Sequence, residues 1–402
     1  MPHEVSRCRT FRYRLHPTNL QTQSLLRQLN FQCELYNDAL EERIGAWNRE
    51  RRSVTFFDQC MTLKGLKDSR PEVVASGVTL CRGTLMRLDR AFVAFFRRAK
   101  CGETPGFPRF KPANRFTSLQ WEDSGSGWKV KLDHQRLYLM GIGEIKVNYH
   151  RPLAGTAKAI TVKREGTKWW LSVRCANVPA MPLVRTYSEV GIDFGVVNQL
   201  ATSDGELKKG KHLGTKAEAR LARAQRQLGA QQRGSNRRRR QVEEVGRLHR
   251  KIKSQRSNAA HQLSRQLVND YDFIAIEHLK ITNMVRAPKG KPDPEQPGAY
   301  LPNGASKKAE LNKSIHDSGW GQLVSLLSYK AESAGRKVVG VNPRYTSQTC
   351  AECHHVDSGN RISQKDFRCL KCGHCDYADI NAARNILRAG RALQTSVCDG
   401  CN

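Results

Sequence analysis

Residues 346–387 read TSQTCAECHHVDSGNRISQKDFRCLKCGHCDYADINAARNIL, and two chemistries lie side by side in them. Cys350-x-x-Cys353 and Cys369-x-x-Cys372 are two pairs separated by fifteen residues. That spacing lets four thiolates surround one Zn²⁺ tetrahedrally, as in zinc ribbons. His354, His355, His374 and Cys375 are alternative ligands. A further pair, Cys398-x-x-Cys401, has no second pair near it and is a weak metal signal. Directly after the second knuckle comes YADINAARNIL. Its Ala382, Ala383, Ile386 and Leu387 form one helical face, and Asp379 stands near the helix start. Taken alone, Asp379 reads as an ordinary helix N-cap.

Two other acids make that reading incomplete. VGIDFG (190–195) reads as a buried strand with Asp193 in its middle, and DFIAIEHL (272–279) as a buried strand ending on Glu277. A buried carboxylate is costly without a cation or a partner. The three acids are expected to converge on one site, with Asp376 as the fallback for Asp379. Such a site suits Mg²⁺, which prefers oxygen ligands. Two ions about 3.5–4 Å apart would serve phosphodiester cleavage.

The bulk composition points the same way. The 402 residues carry 68 Lys and Arg against 37 Asp and Glu, a net charge of +31. Such a surplus favours a polyanionic partner, nucleic acid above all. With 39% hydrophobic and 7% aromatic residues, the chain is folded rather than disordered. No apolar run is long enough for a membrane span, and MPHEVSRCRTFRYRL is no secretory signal. Thirteen cysteines then fit a reducing compartment.

Further upstream, residues 8–17 alternate as a strand, and Thr18–Trp47 and Val74–Arg98 have helical spacing. Residues 20–100 form a small helical unit, closed by GFPRFKP (106–112). From Ser118 to Val178, short alternating stretches (WKVKL, RLYLM, EIKVNY, AITVKR, KWWLSVRC) predict a small barrel or sandwich, completed by the first strand. Trp121, Trp169 and Trp170 are candidates for base stacking or for its core. Lys208–Asp270 is basic and helix-prone, with Arg237, Arg238, Arg239 and Arg240 in a row as candidate phosphate contacts. Residues 286–310, rich in Pro, Gly and Lys, read as a loop or lid with little structure. Trp320–Ala334 predicts a helix and RKVVGVNP (336–343) a strand.

GIDFG, IEHLKITNM, the paired CxxC motifs and ADINAARNI together resemble the TnpB (OrfB) family of transposon-encoded proteins, which are similar to compact type V CRISPR effectors. RLHPTNLQ, GFPRFKP and the segment SGWGQLVSLLSYKAESAGRKVVGVNPRYTSQTC extend the likeness along the chain. The resemblance implies an RNA-guided DNA endonuclease that cuts beside a short flanking motif by a two-Mg²⁺ mechanism. Asp193, Glu277 and Asp379 would be catalytic, and Cys350, Cys353, Cys369 and Cys372 would hold one structural Zn²⁺.

It also implies an α+β multidomain fold. A split wedge β-barrel (1–20 and 111–182) would carry an inserted helical recognition lobe (21–110). An RNase H-like, RuvC-type α/β nuclease domain (183–345) would include the basic segment 208–270 and the loop 286–310. A zinc-ribbon knuckle (346–375) and the last nuclease helix with a tail (376–402) would follow. The implied partners are an omega-type guide RNA, bound one to a monomer, and double-stranded target DNA, with no membrane. The implied setting is prokaryotic cytoplasm, at the nucleoid. Two departures from the family pattern stand out. His354 follows the second cysteine where glycine is usual, so the first knuckle's turn is expected to differ. The 286–310 loop is long. The competing functions are a CRISPR effector, an RNA-guided DNA-binding regulator with little cleavage, and a transposase or junction resolvase that needs no RNA.

Overall fold

The computed structural model describes residues 7–122, 127–209, 215–294, 296 and 299–398. They divide into two compact units, Met1–Pro179 and Ala180–Asn402.

In the first unit, β1 (Arg9–His16) buries Phe11, Tyr13 and Leu15 on one face. Helix α1 (Asn19–Glu50) follows, opened by a capping box. The Gln21 N–H donates to Thr18 Oγ1 at 3.2 Å, and Thr18 N–H to Gln21 Oε1 at 3.0 Å. Helix α2 (Phe56–Ser69) has a second such box, Thr55 with Asp58. The single helix expected over Val74–Arg98 is two, α3 (Pro71–Ser76) and α4 (Val78–Lys100). Gly77 divides them at φ +77°, a conformation that no continuous helix contains.

Six strands follow: β2 (Ser118–Trp121), β3 (Trp128–Lys131), β4 (Arg136–Leu139), β5 (Gly143–Asn148), β6 (Thr156–Glu165) and β7 (Lys168–Ala176). The sheet order is β2-β6-β7-β1-β5-β4-β3, antiparallel throughout, so β1 sits at the centre between β7 and β5. Among the described residues the edge strands β2 and β3 do not pair, so the expected barrel is a curled half-barrel. Helices and sheet share one apolar core, from Leu25 and Leu85 to Val147 and Leu171. Trp121 and Trp169 lie inside it, which removes them as base-stacking candidates. Trp170 stays half-buried, with the Arg12 guanidinium 4.1 Å from its ring centre.

The second unit begins with β8 (Glu189–Asp193), β9 (Asn198–Thr202) and β10 (Leu207–Lys209). A helical hairpin, α5 (Thr215–Gly229) and α6 (Asn236–Asp270), leads to β11 (Phe273–Glu277). Next come α7 (Ile281–Met284), a ribbon of β12 (Lys291–Pro292) and β13 (Tyr300–Leu301), α8 (Ala305–Ser318), α9 (Trp320–Ala334) and β14 (Lys337–Val341). The segment 286–310 therefore carries a short ribbon and a helix start. Finally β15 (Asp366–Arg368), β16 (Cys375–Tyr377) and α10 (Ala378–Cys398) close the chain's described part.

The five-stranded sheet runs β10-β9-β8-β11-β14. β8, β11 and β14 are parallel, while β9 and β10 are antiparallel additions. β8, β11 and β14 read as apolar runs because both faces are covered. Leu267, Trp320, Leu323 and Leu327 cover one face, and Ile386 with Leu387 of α10 the other. Gly191 lets α10 come close, since a Cβ there would stand 2.0 Å from the Ala383 carbonyl oxygen. Among the described residues no helix is long and apolar enough to cross a membrane.

Candidate active site and metal centre

Asp193 is the last residue of β8, not its middle, and Glu277 is the last residue of β11. Their predecessors Ile192 and Ile276 are register partners, so the two acids leave neighbouring parallel strands at the same level. Ligand sites in such sheets lie beyond the carboxyl ends of the strands. Asp379 enters from the first turn of α10. All three line one cleft of about 250 Å³, together with Thr346, Arg361 and Gln364.

The electrostatics of this cleft are unbalanced. Burial first, then the charges of Glu277 and Asp379, push the Asp193 carboxyl up from 3.8 to about 7. Arg361 and the Phe194 N–H pull it back only in part. Burial also raises Glu277, against a hydrogen bond from Thr346 Oγ1 to Oε1 of 2.5 Å. Asp379 accepts from Arg361 Nη2 and from Asn198 Nδ2, each at 3.4 Å. Arg361 is the one cation lining the cleft among the described residues, against three carboxyl groups. Oxygen donors with surplus negative charge suit a hard divalent cation such as Mg²⁺. Asp376 is not part of this. It sits on β16, paired with Arg384 at 3.0 Å and near His374 at 3.9 Å.

The four cysteines meet as a compact group. Their sulfurs lie within 4.8 Å of one another, the sole such metal-ligand group among the described residues. Cys350 and Cys372 sulfurs are 3.7 Å apart, and those of Cys353 and Cys369 3.5 Å. Four thiolates about 2.3 Å from one Zn²⁺ would be separated by about 3.8 Å, so the cage fits a structural metal. The Cys372 N–H, then the Lys371 N–H, hold the Cys369 thiol below its ordinary value, while burial raises Cys350 and the neighbouring thiols raise Cys372, as crowded sulfurs without a cation do. His354, His355, His374 and Cys375 stand outside the cage. Cys398 and Cys401 lie outside the described side chains.

The expected difference between the two knuckle turns is absent. His354 N–H donates to Cys350 O at 3.1 Å, as Gly373 N–H does to Cys369 O at 3.0 Å. Cys350 and Cys369 N–H groups likewise reach His355 O and His374 O, at 2.9 and 2.8 Å. His354 adopts the same left-handed backbone, φ 62° against 73° for Gly373. The turn is kept and the side chain bears the strain.

Other residues join knuckle to cleft, and none has a sequence signal of its own beyond the Asn-x-x-x-Asn spacing in INAARN. Asn381 Nδ2 donates to Thr349 O at 2.8 Å and its Oδ1 accepts from Ala351 N–H at 2.9 Å. Asn385 Nδ2 donates to Thr346 O at 3.0 Å and Thr349 O at 2.6 Å. Both asparagines are buried. Thr346, Arg361 and Gln364 come from the knuckle's own loops.

The basic row is divided in role. Arg238 Nη1 donates to Leu228 O and Gln231 O, at 2.5 and 3.0 Å, closing the end of α5. Arg237, Arg239 and Arg240 face solvent at the start of α6.

Three family models match the chain: "Probable transposase" (OrfB_IS605) at 172–287, "Cas12f1-like, TNB domain" at 320–386 and "Helix-turn-helix domain" (HTH_OrfB_IS605) at 7–52. The first spans Asp193 and Glu277, and the second the cysteine cage and Asp379. Residues 7–52 fold here as β1 and the single helix α1. "Putative RNA-guided DNA endonuclease InsQ" of Escherichia coli is 34% identical over 77% of this chain and 74% of its own. A "Putative RNA-guided DNA endonuclease" of Streptomyces pristinaespiralis is 30% identical over 97% of this chain and 90% of its own. In fold, the chain is similar to Cas12f1 as solved in its "Cas12f1-sgRNA-target DNA complex", with a TM-score of 0.58 and 14% identity over 95% of this chain and 98% of that one. With relatives this similar across most of both lengths, the chain belongs to the OrfB (TnpB) family of IS605-type elements.

Proposed function

We propose that this chain is an RNA-guided DNA endonuclease of RuvC type, with Asp193, Glu277 and Asp379 as its Mg²⁺-binding catalytic residues. The observation that carries the reading is the convergence of three carboxylates, from β8, β11 and α10, in one cleft with unbalanced charge. The sheet order β10-β9-β8-β11-β14, with its first three strands antiparallel and its last two parallel to β8, supports an RNase H-like fold. Relatives named as RNA-guided DNA endonucleases support the activity and both nucleic-acid partners.

Bound Mg²⁺ would supply a hydroxide-like nucleophile at neutral pH and stabilise the leaving oxygen. The protein's own part is positional. Thr346 fixes Glu277 through Oε1, and Asn198 fixes Asp379 through Oδ2. Arg361 approaches Asp379 from the knuckle and offers a guanidinium to a phosphate entering the cleft. Asp193, held near neutral titration when the cleft is empty of cations, gives up its proton when a cation replaces it. The cysteine cage holds Zn²⁺ as a structural staple. Arg237, Arg239 and Arg240 suit a phosphate backbone, which makes binding salt-sensitive. Cleavage of guide-matched DNA by the chain loaded with its RNA tests the assignment. Asp193→Ala and Glu277→Ala each abolish cutting while RNA binding persists, and retained cutting in either rejects it.

A further inference from the structure

GFPRFKP (106–112) breaks the helical pattern in the sequence, and nothing in the cleavage chemistry uses it. In the structure it caps an aromatic cluster at the end of α4. Phe107 stands edge-on to Phe92 and Phe95, at ring-centre distances of 5.6 and 5.3 Å. Phe96 meets Phe95 at 5.2 Å and lies nearly parallel to Phe92 at 6.3 Å. The cluster is anchored below, where the buried Arg43 guanidinium lies 5.1 Å from the Phe92 ring centre. Its outer members are open to solvent: Phe96 is 55% exposed and Phe107 47%, with the neighbouring Val93 at 61% and Phe110, on the same loop as Phe107, at 55%. An apolar group of that size outside the core marks an interaction surface.

The loop is held rather than loose. Asn37 clamps residue 111 from α1, accepting from Lys111 N–H at 2.9 Å and donating to Lys111 O at 3.0 Å. Cys33 Sγ donates to the same carbonyl at 3.0 Å, and Lys111 Nζ sits 3.9 Å from the Tyr36 ring centre. The rim is basic: Arg97, Lys100 and Arg109 are exposed, and Arg98 Nη1 lies against Gly106. Open rings inside a cationic rim match a polymer that carries flat apolar rings on an anionic backbone. A duplex keeps its rings stacked on one another, whereas a single strand offers them. The ring faces themselves carry no hydrogen-bonding group, so stacking on them does not depend on a 2′-hydroxyl, and the reading of a DNA-acting chain makes the deoxy strand the occupant. We propose that the exposed rings Phe96 and Phe107 form a stacking platform for the unpaired bases of single-stranded DNA. The proposal deepens the reading of a DNA-acting chain but needs neither the carboxylates nor cleavage.

The test uses the full chain carrying Asp193→Ala, so that cutting plays no part. A short labelled oligothymidylate is titrated by fluorescence anisotropy at salt high enough to suppress phosphate attraction. Phe96→Ala and Phe107→Ala each weaken binding about 5- to 100-fold. Phe96→Tyr restores it, because the ring returns. Phe96→Leu stays weak, because bulk without a ring does not stack. Photo-crosslinking of the unaltered rings to a 5-iododeoxyuridine strand, read by mass spectrometry, gives peptides within 91–116, whatever the variants do to folding. Unchanged affinity in both alanine variants, full binding by the leucine variant, tighter binding of the matching RNA, or crosslinks confined to other segments overturns the proposal.

Discussion

Replacing Asp193 by Asn should stabilise the protein when magnesium is absent. Folding raises this carboxyl from 3.8 to about 7, first through burial and then through Glu277 and Asp379. Below about pH 4 the carboxyl is protonated in both folded and unfolded chains, and it costs nothing. As pH rises from about 4 to about 7, the unfolded chain ionises first, so the native state loses stability. Above about 7 the full penalty is present and constant. About three pKa units correspond to about 4 kcal/mol, and relaxation of the cleft in the variant trims the gain to about 2–4 kcal/mol. The amide keeps the shape, and its Oδ1 still accepts from the Phe194 N–H. Hydrogen exchange of β8 and β11 amides, with zinc in place and magnesium removed, reads this locally. Protection in the D193N variant should exceed that in the wild type by the most at about pH 8 and by less at about pH 5. Adding Mg²⁺ should then protect the wild type and leave the variant almost unmoved. A variant no more protected than the wild type at pH 8 without magnesium would refute the claim that the carboxylates are held together under strain.

Three further perturbations test other parts of the second unit. His354→Gly relieves the left-handed backbone at the first knuckle and should strengthen it by about 0.5–1 kcal/mol, seen as slower zinc loss to a chromogenic chelator. Asn385→Ala strands the Thr346 carbonyl and leaves that of Thr349 to Asn381 alone. It should cost about 1–3 kcal/mol in denaturant unfolding and lower cleavage through the displaced Thr346. Lys330 is buried against His261 O and Ser264 Oγ, and burial, then Arg265, lowers it from 10.5 to about 8. The unfolded chain protonates there first as pH falls, so this lysine makes stability rise with pH between about 8 and 10.5. Lys330→Met should flatten that rise in thermal melts taken across the window.

The parts of the site that violate ordinary burial rules were legible in the sequence. An acid at the end of a Val-Gly-Ile or Ile-Ala-Ile run is out of place by solvation alone, and two CxxC pairs have few other uses. Arg361 was not legible, because it is one of 68 basic residues and sits in a polar loop like many others. Thr346 and Asn198 act only through partners far along the chain, Glu277 and Asp379. The same limit explains the fold. The strands between Ser118 and Val178 were readable from alternation, whereas the central place of β1 depends on pairing with β7 some 160 residues away. Gly77 was visible but silent, since a single glycine within an apolar pattern is compatible with a helix. Helix α2 has little apolar periodicity, so its Thr55–Asp58 capping box is its main mark in the sequence.

The cysteine cage is tied to distant carboxylates here through hydrogen bonds. Thr349 precedes the first cysteine, and its carbonyl is held by both Asn381 and Asn385 of the helix that bears Asp379. Thr346, three residues before it, reaches Glu277 at the end of β11. Between the knuckles, Arg361 returns to Asp379. A metal that fixes Cys350 against Cys372 therefore fixes the loop ends that position two of the three acids. Like charges in one cleft repel one another, and that repulsion raises the Asp193 carboxyl. The knuckle ties the loops beside two of these acids with neutral hydrogen bonds and one cation, so a change at the cysteines is felt at Glu277 and Asp379.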